Sequence, residues 1–526
     1  MASRTIHRKP NGKAYVYTVE SYWDKEKKAP RNRQRCIGRL DPKTGEMVPT
    51  RKRALNQLTD AIASPSLDGH VCQGIGTKTK VVGPHMLLSR VANDIGLAQA
   101  LKRSFPDTHE AILSLAFFIT QRGNALSRCE TWSNSHCHPL NRPITSQEVS
   151  ALLGQITEDR RQHFLSQWLR RLSETELLCY DITSISSYAT SNEFVRRGYN
   201  RDHENLAQVN LAMLFGQTSG LPAYYRRLPG HISDTKTLHT TMKTLDCLGH
   251  AKLSVVLDRG FYSEKNVDEL LRKRYRFIIA VPKSRLWVRS IIDQYRDDIT
   301  SPRRYNQVGE NEVLYMVSHI YRWNGRRCHV HLYYNATRAA DDHDRLVRRL
   351  ISCKEELETG KHVERHRDMY ERYFVVRTTR SGAAHVEYRD EEIREYRNRY
   401  AGFFCILTNA KISPEDLLEI YRRKDVVENC FDDLKNGLDM KRLRSHSSSA
   451  MDARLFIQFL ALALLSRVRT VSQKHKSLKY LTAREILETI ETIVEISCPE
   501  RRTRIITEIG PAERNVLETF ALGGHS

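Results

Sequence analysis

Between Glu176 and Val281 the chain reads as three apolar runs in succession, then helix, run, helix, run, an order that few folds accept. The first run, ELLCYDITSIS (176–186), is followed by QVNLAMLFG (208–216) and LPAYYRRLPG (221–230), with a glycine-bearing turn between the last two. The helical pattern SDTKTLHTTMKTLDCLG (233–249) leads to LSVVLD (253–258), and SEKNVDELLRKR (263–274) leads to RFIIAV (276–281). This order predicts an α/β fold in which helices pack against one mixed sheet.

The same order is the ribonuclease H arrangement, with residues 176–282 as the first part of its core. Residues 283–400 interrupt it. They hold the strand-like HVHLYYNA and a long charged helical stretch from Asp341 to Phe374, whose charge density predicts an inserted, exposed subdomain. The core resumes over 401–440 with the strand GFFCILTN and a helix that has Ser413 as N-cap, Pro414 in its first turn and a stop at Gly437. Residues 1–55 read as a small basic β module, with a turn at Asn11-Gly12 and a second hairpin in GRLDPKTGEMV. Residues 84–175 read as helical, serving DNA binding or supporting the next domain. KRLRSHSSS (441–449) reads as a basic linker, and 451–526 as a mostly helical C-terminal region.

Charge indicates the class of partner. Lys and Arg number 84 against 62 for Asp and Glu, a formal balance of +22 spread over most of the chain. Many dispersed cations suit a phosphate backbone, so nucleic acid comes before membrane. The longest apolar run, LFIQFLALALL (455–465), is shorter than the roughly 20 residues that span a bilayer. MASRTIHRKPNGK carries no apolar signal segment, so the expected location is intracellular, with no membrane partner. The 11 cysteines are odd in number and scattered, as for reduced thiols. Cys129, His136, Cys137 and His138 lack the paired spacing of a structural zinc site.

The stretch YRRKDVVENCFDDLK (421–435) lies on the last helix of the core. At 100° per residue Tyr421, Lys424, Glu428 and Lys435 share a sector of roughly 60° that borders the apolar face of Ile420, Val427, Phe431, Leu434 and Leu438. A lone Lys424–Glu428 pair on a solvated edge would look the same. What favours a site is the presence of other acids where charge is costly: Asp181 inside an apolar strand and Asp258 at the end of another. A turn or cap role is the bland reading of Asp258. Three converging carboxylates need a divalent cation, Mg²⁺ or Mn²⁺ by oxygen preference. Two such ions about 3.5–4 Å apart would serve phosphodiester chemistry. No GxxxxGK[ST] loop is present, so nucleotide hydrolysis is not expected.

These residues carry a resemblance. The chain resembles DDE transposases of the bacterial insertion-sequence-four superfamily, whose last catalytic helix carries Y-x2-R-x3-E-x6-K. Here Tyr421, Glu428 and Lys435 match and Lys424 replaces the arginine; YDITS at Asp181 and LDRGFYS at Asp258 match the two aspartate motifs. The resemblance implies a ribonuclease H-like core with an insertion, and Asp181, Asp258 and Glu428 as holders of two Mg²⁺ or Mn²⁺ ions. It also implies Tyr421, Lys424 and Lys435 as DNA-phosphate contacts. The implied activity is cleavage at transposon ends and strand transfer into target DNA. The implied partners are double-stranded DNA, both terminal inverted repeats and target, and a second copy in the DNA complex, in a bacterial, nucleoid-associated cytoplasmic setting. A nuclease without strand transfer and a non-catalytic domesticated DNA-binding protein are the alternatives. Lysine grips phosphate as a point charge, so the arginine-type bidentate contact is the detail that Lys424 changes.

Overall fold

The computed structural model describes residues 3–8, 14–24, 29–41, 47–49 and 78–522, the last span without 175, 190–191, 203, 248–252, 309–311, 379–383, 444–446 and 499–502. The chain divides into two units, Met1–Thr77 and Lys78–Ser526. In the first, β1 (Ser3–Arg8), β2 (Ala14–Asp24), β3 (Ala29–Leu40) and β4 (Met47–Pro49) form an antiparallel sheet in sequential order, with Val16 and Ile37 buried. The Asn11-Gly12 turn lies outside the described residues.

The second unit is a mixed α/β structure around a ten-stranded sheet. After a short β5 (Lys78–Val81), the strands β6 (Leu178–Ser187), β7 (Gln208–Gly216) and β8 (Pro222–Pro229) form an antiparallel meander. Helix Asp234–Cys247 then crosses to β9 (Ser254–Leu257), and helix Glu264–Arg272 crosses to β10 (Arg276–Val281). β9 lies parallel to both β6 and β10, because a strand reached through a helix returns in the same direction. The central order is therefore β8-β7-β6-β9-β10.

The interruption at 283–400 behaves as two parts. β11 (Tyr305–Val308), β12 (Glu312–Trp323) and β13 (Arg326–Tyr334) extend the large sheet, because β13 pairs with the returning core strand β16 (Phe403–Thr408), which itself pairs with β10. Val330, Leu332 and Tyr333 are fully buried there, so this part is not exposed as its charge suggested. The other part runs from helix Ala336–Glu358 to helix Asp390–Arg399 and includes the hairpin β14 (Phe374–Thr378) and β15 (Ala384–Tyr388). It has a small core of its own. The charged stretch is broken after Glu358, with Gly360 at φ 71.

Six helices between Gly83 and Ser173 pack in the same continuous core as the large sheet. Helix Ser448–Ser472 is central to that core, against helix His109–Arg122 and β8. Its 25 residues are apolar enough by length and composition to cross a membrane, but 78% of that window is buried in protein. Such a helix is apolar all round because protein surrounds it. Two segments differ from their sequence reading. The basic linker contains β17 (Arg442–Leu443), paired with β6 and held by the buried Leu443. The C-terminal region holds β18 (Val494–Cys498) and β19 (Thr503–Ile506) with β5 beside them, strands of only four or five residues between helical patterns.

Candidate active site

The two aspartates are brought together by strand register. β6 and β9 run parallel with Tyr180 opposite Leu257, so the next residues, Asp181 and Asp258, leave neighbouring strands at one level. Adjacent strands are about 4.8 Å apart, which forces two carboxylates into each other's field. Asp181 is half-buried, and its Oδ1 accepts the Ile182 backbone N–H at 2.7 Å. Burial, assisted by the charge of Asp258, pushes its pKa up to about 6 against the opposing pull of Ile182, Arg201 and Lys424. Burial acts on Asp258 in the same direction. There it is outweighed by Lys424, Tyr421 and the Arg259 N–H, leaving Asp258 below the usual carboxylate range.

The helix opposite is less regular than 100° per residue implies. Ser413 caps it by accepting the Asp416 N–H at 3.1 Å, and Pro414 starts it. An α segment (Pro414–Arg422) then tightens into a 3₁₀ turn (Arg423–Asp425), resumes as α (Val426–Asp432) and widens into a π turn (Asp433–Gly437). Tight and wide turns rephase the side chains, so the single stripe separates. Tyr421 donates its hydroxyl to Asp258 Oδ1 at 2.8 Å, and Lys424 Nζ stands 3.1 Å from the same oxygen. Glu428 is exposed on a segment that lies against β6, while its neighbours Val427 and Cys430 are buried. Lys435 reaches a different partner, Asp202 Oδ1, at 2.6 Å. The helical stretch ends at Gly437, but the left-handed residue after it is Asp439, at φ 55.

Asp433 belongs with none of these, nor with the ordinary surface charges of the helix. It makes a close ion pair with Arg469 of the central helix, both side chains largely buried. Arg469 also donates to Cys430 Sγ at 3.2 Å. Sequence reading also passed over Arg201 and Asp202. The available signal was the charge density of RRGYNRDHENL in a loop joining two buried strands.

Asp258 and Tyr421 open onto a cleft of about 1530 Å³. Its walls carry Arg259, Lys283, Arg289, Arg338, Arg349 and Arg372, more cations than anions. Arg259, Arg338 and Arg349 make no ion pair among the described residues. A cationic cleft beside a pair of half-buried acids can hold a phosphate chain against general-base or metal-binding groups.

The donor set fits a hard divalent cation. Asp181, Asp258 and Glu428 offer only oxygen, and the mutual repulsion of the first two is what such an ion relieves. Lys424 already supplies one positive charge at Asp258 Oδ1. Asp181, Asp258 and Glu428 are not, however, drawn within ligand distance of one another. Among the described residues, the group of three whose ligand atoms all lie within 4.8 Å is Cys353, Glu356 and His366. The cluster of Cys129, His136, Cys137 and His138 is not such a group. There the His136 ring stacks on Trp132, and burial pushes its pKa down to about 4.

The family described as "Transposase DDE domain" matches residues 172–464, more than half of the chain. Among solved structures, the cryo-EM structure of the piggyBac transposase synaptic complex with hairpin DNA is similar at 10% identity and a TM-score of 0.38. The likeness covers 78% of this chain and 76% of that one. No curated protein matches.

Proposed function

The chain belongs to the transposase DDE domain family, and from that premise we propose that it is a DNA transposase that cuts at transposon ends and joins the freed 3′ end to target DNA. The observation that carries the reading is the parallel register that sets Asp181 beside Asp258, with Tyr421 and Lys424 on the second of them at the mouth of a cationic cleft. The order β8-β7-β6-β9-β10 supports a ribonuclease H-like core, and the segment carrying Glu428 lies against β6.

In this reading Asp181, Asp258 and Glu428 hold two Mg²⁺ or Mn²⁺ ions. When bound, such ions activate the attacking hydroxyl and stabilise the leaving oxygen. Lys424 and Tyr421 exchange Asp258 for a DNA phosphate, and Lys435 exchanges Asp202. Each cation is thus kept close to the backbone it will grip. Lys424 acts as a point charge, so the contact is weaker in direction than that of the arginine in insertion-sequence-four relatives. Cationic residues of the cleft draw the duplex in, and a second copy of the chain pairs the two transposon ends. The setting is the bacterial cytoplasm, at the nucleoid.

The test is strand cleavage of a duplex carrying the element's terminal inverted repeats with Mg²⁺, for wild type and Asp258→Ala. Cutting and joining by the wild type alone is expected. Equal cutting by both proteins would overturn the site, and cutting without joined products would make the protein a nuclease.

A further inference from the structure

The second cluster of ligand-type side chains lies away from the sheet that carries Asp181 and Asp258. Cys353 and Glu356 are three residues apart in the last turns of helix Ala336–Glu358, hence on one face. After the turn at Gly360, the short 3₁₀ segment Glu364–His366 returns His366 to that face. His366 Nδ1 is 2.8 Å from Glu356 Oε2, and Cys353 Sγ completes a set whose atoms all lie within 4.8 Å. Cys353 is fully buried and His366 nearly so. Ligand atoms around tetrahedral zinc stand about 3.3–3.6 Å apart, from bonds of roughly 2.0–2.3 Å, so small side-chain shifts would admit an ion.

The surroundings prepare the same three groups. Tyr370 donates its hydroxyl to Glu356 Oε2 and accepts the Val363 N–H at 3.1 Å, which fixes the carboxylate between helix and turn. Outer partners of this kind orient metal ligands. The C-terminal end of a helix carries partial negative charge, which favours a cation there. The surrounding core is small: Leu350, Cys353, Leu357, Tyr373, Phe374 and Val386. Cores of this size are commonly reinforced by a metal or a disulfide.

We propose that Cys353, Glu356 and His366 bind one borderline transition-metal ion of the zinc class, with solvent in the fourth position, and that the ion clips the helix to the turn that follows it. The mixed sulfur, nitrogen and oxygen set suits zinc over Mg²⁺. Binding forms a metal–thiolate bond, and the Cys353 proton leaves to solvent. The ion is structural and separate from the phosphodiester chemistry.

The test uses the full chain, stripped with chelator and held in excess Mg²⁺, titrated with Co²⁺ as a spectroscopic stand-in. One equivalent should produce a thiolate-to-cobalt charge-transfer band that zinc displaces. Cys353→Ser and His366→Gln should abolish it, and Glu356→Gln should weaken binding by about 10-fold or more. If a variant fails to fold, alkylation of the wild type mapped by mass spectrometry replaces it, and zinc should protect Cys353. No band, a band that survives in Cys353→Ser, or alkylation of Cys353 at one rate with and without zinc would each overturn the proposal.

Discussion

Two of the ion pairs on one helical stretch are of opposite character. Lys424–Asp258 keeps side-chain exposures of 27% and 47%, whereas Arg469–Asp433 is reduced to 12% and 17%. The exposed pair holds its groups beside a cleft, and water screening makes the contact cheap to exchange for a phosphate or an ion. The buried pair joins the stretch to the central helix, where the loss of one partner strands a charge. Fifteen residues thus contain both a solvent-exposed contact and a buried anchor, told apart by burial.

Substitutions at four positions would break or sharpen that contrast. Asp258→Ala should lower end cleavage by roughly a thousandfold or more, since several kcal/mol of transition-state stabilisation go with a metal-holding carboxylate. Its thermal unfolding should stay close to wild type; a large drop in Tm would make Asp258 an anchor after all. Asp433→Ala should do the reverse, costing about 3–5 kcal/mol in denaturant unfolding by leaving Arg469 buried and unpaired. Cleavage per folded molecule should be kept.

Asp181→Asn probes the acid whose folded pKa is raised to about 6. A raised carboxyl favours the fold while protonated, and that contribution is lost as pH rises from its unfolded pKa near 4 through about 6. Without divalent ions the variant should therefore gain about 1–2 kcal/mol over wild type at pH 8 and little at pH 4, with activity lost. An equal effect at both pH values would remove the linkage. The smallest effect belongs to Lys424→Ala, which should change stability by less than about 1 kcal/mol and reduce the salt dependence of DNA binding by about one phosphate contact. Lys424→Arg should restore that slope, and an unchanged slope in Lys424→Ala would remove Lys424 from the DNA contacts.

Much of the fold was legible because apolar patterning is local. The runs around Asp181 and Asp258, the crossover helices, the returning strand and the Ser413 cap all follow from neighbouring residues. β18 and β19 were not legible, since an alternation over four or five residues is too short to outweigh the helical patterns around it. β11–β13 were read as exposed because charge density says nothing about which strand a segment will pair with. In the site, Asp181, Asp258, Tyr421 and Lys424 stood out by type and spacing. Asp202, Asp433 and the set of Cys353, Glu356 and His366 did not, since each matters only through a partner on another element.

By itself the sequence determined the succession of strands and helices in the core, its match to the transposase DDE domain family, and which acids sit where charge is costly. Tertiary structure alone decided that Asp181 and Asp258 share a level on parallel strands, and that Tyr421 meets Asp258 across 163 positions of chain. It also decided that 3₁₀ and π turns send Lys435 to Asp202 rather than along the line of Lys424. The reason is physical: backbone propensity and patterning act over a few residues, whereas register, burial and ion pairing are set by elements that meet only after the chain has packed.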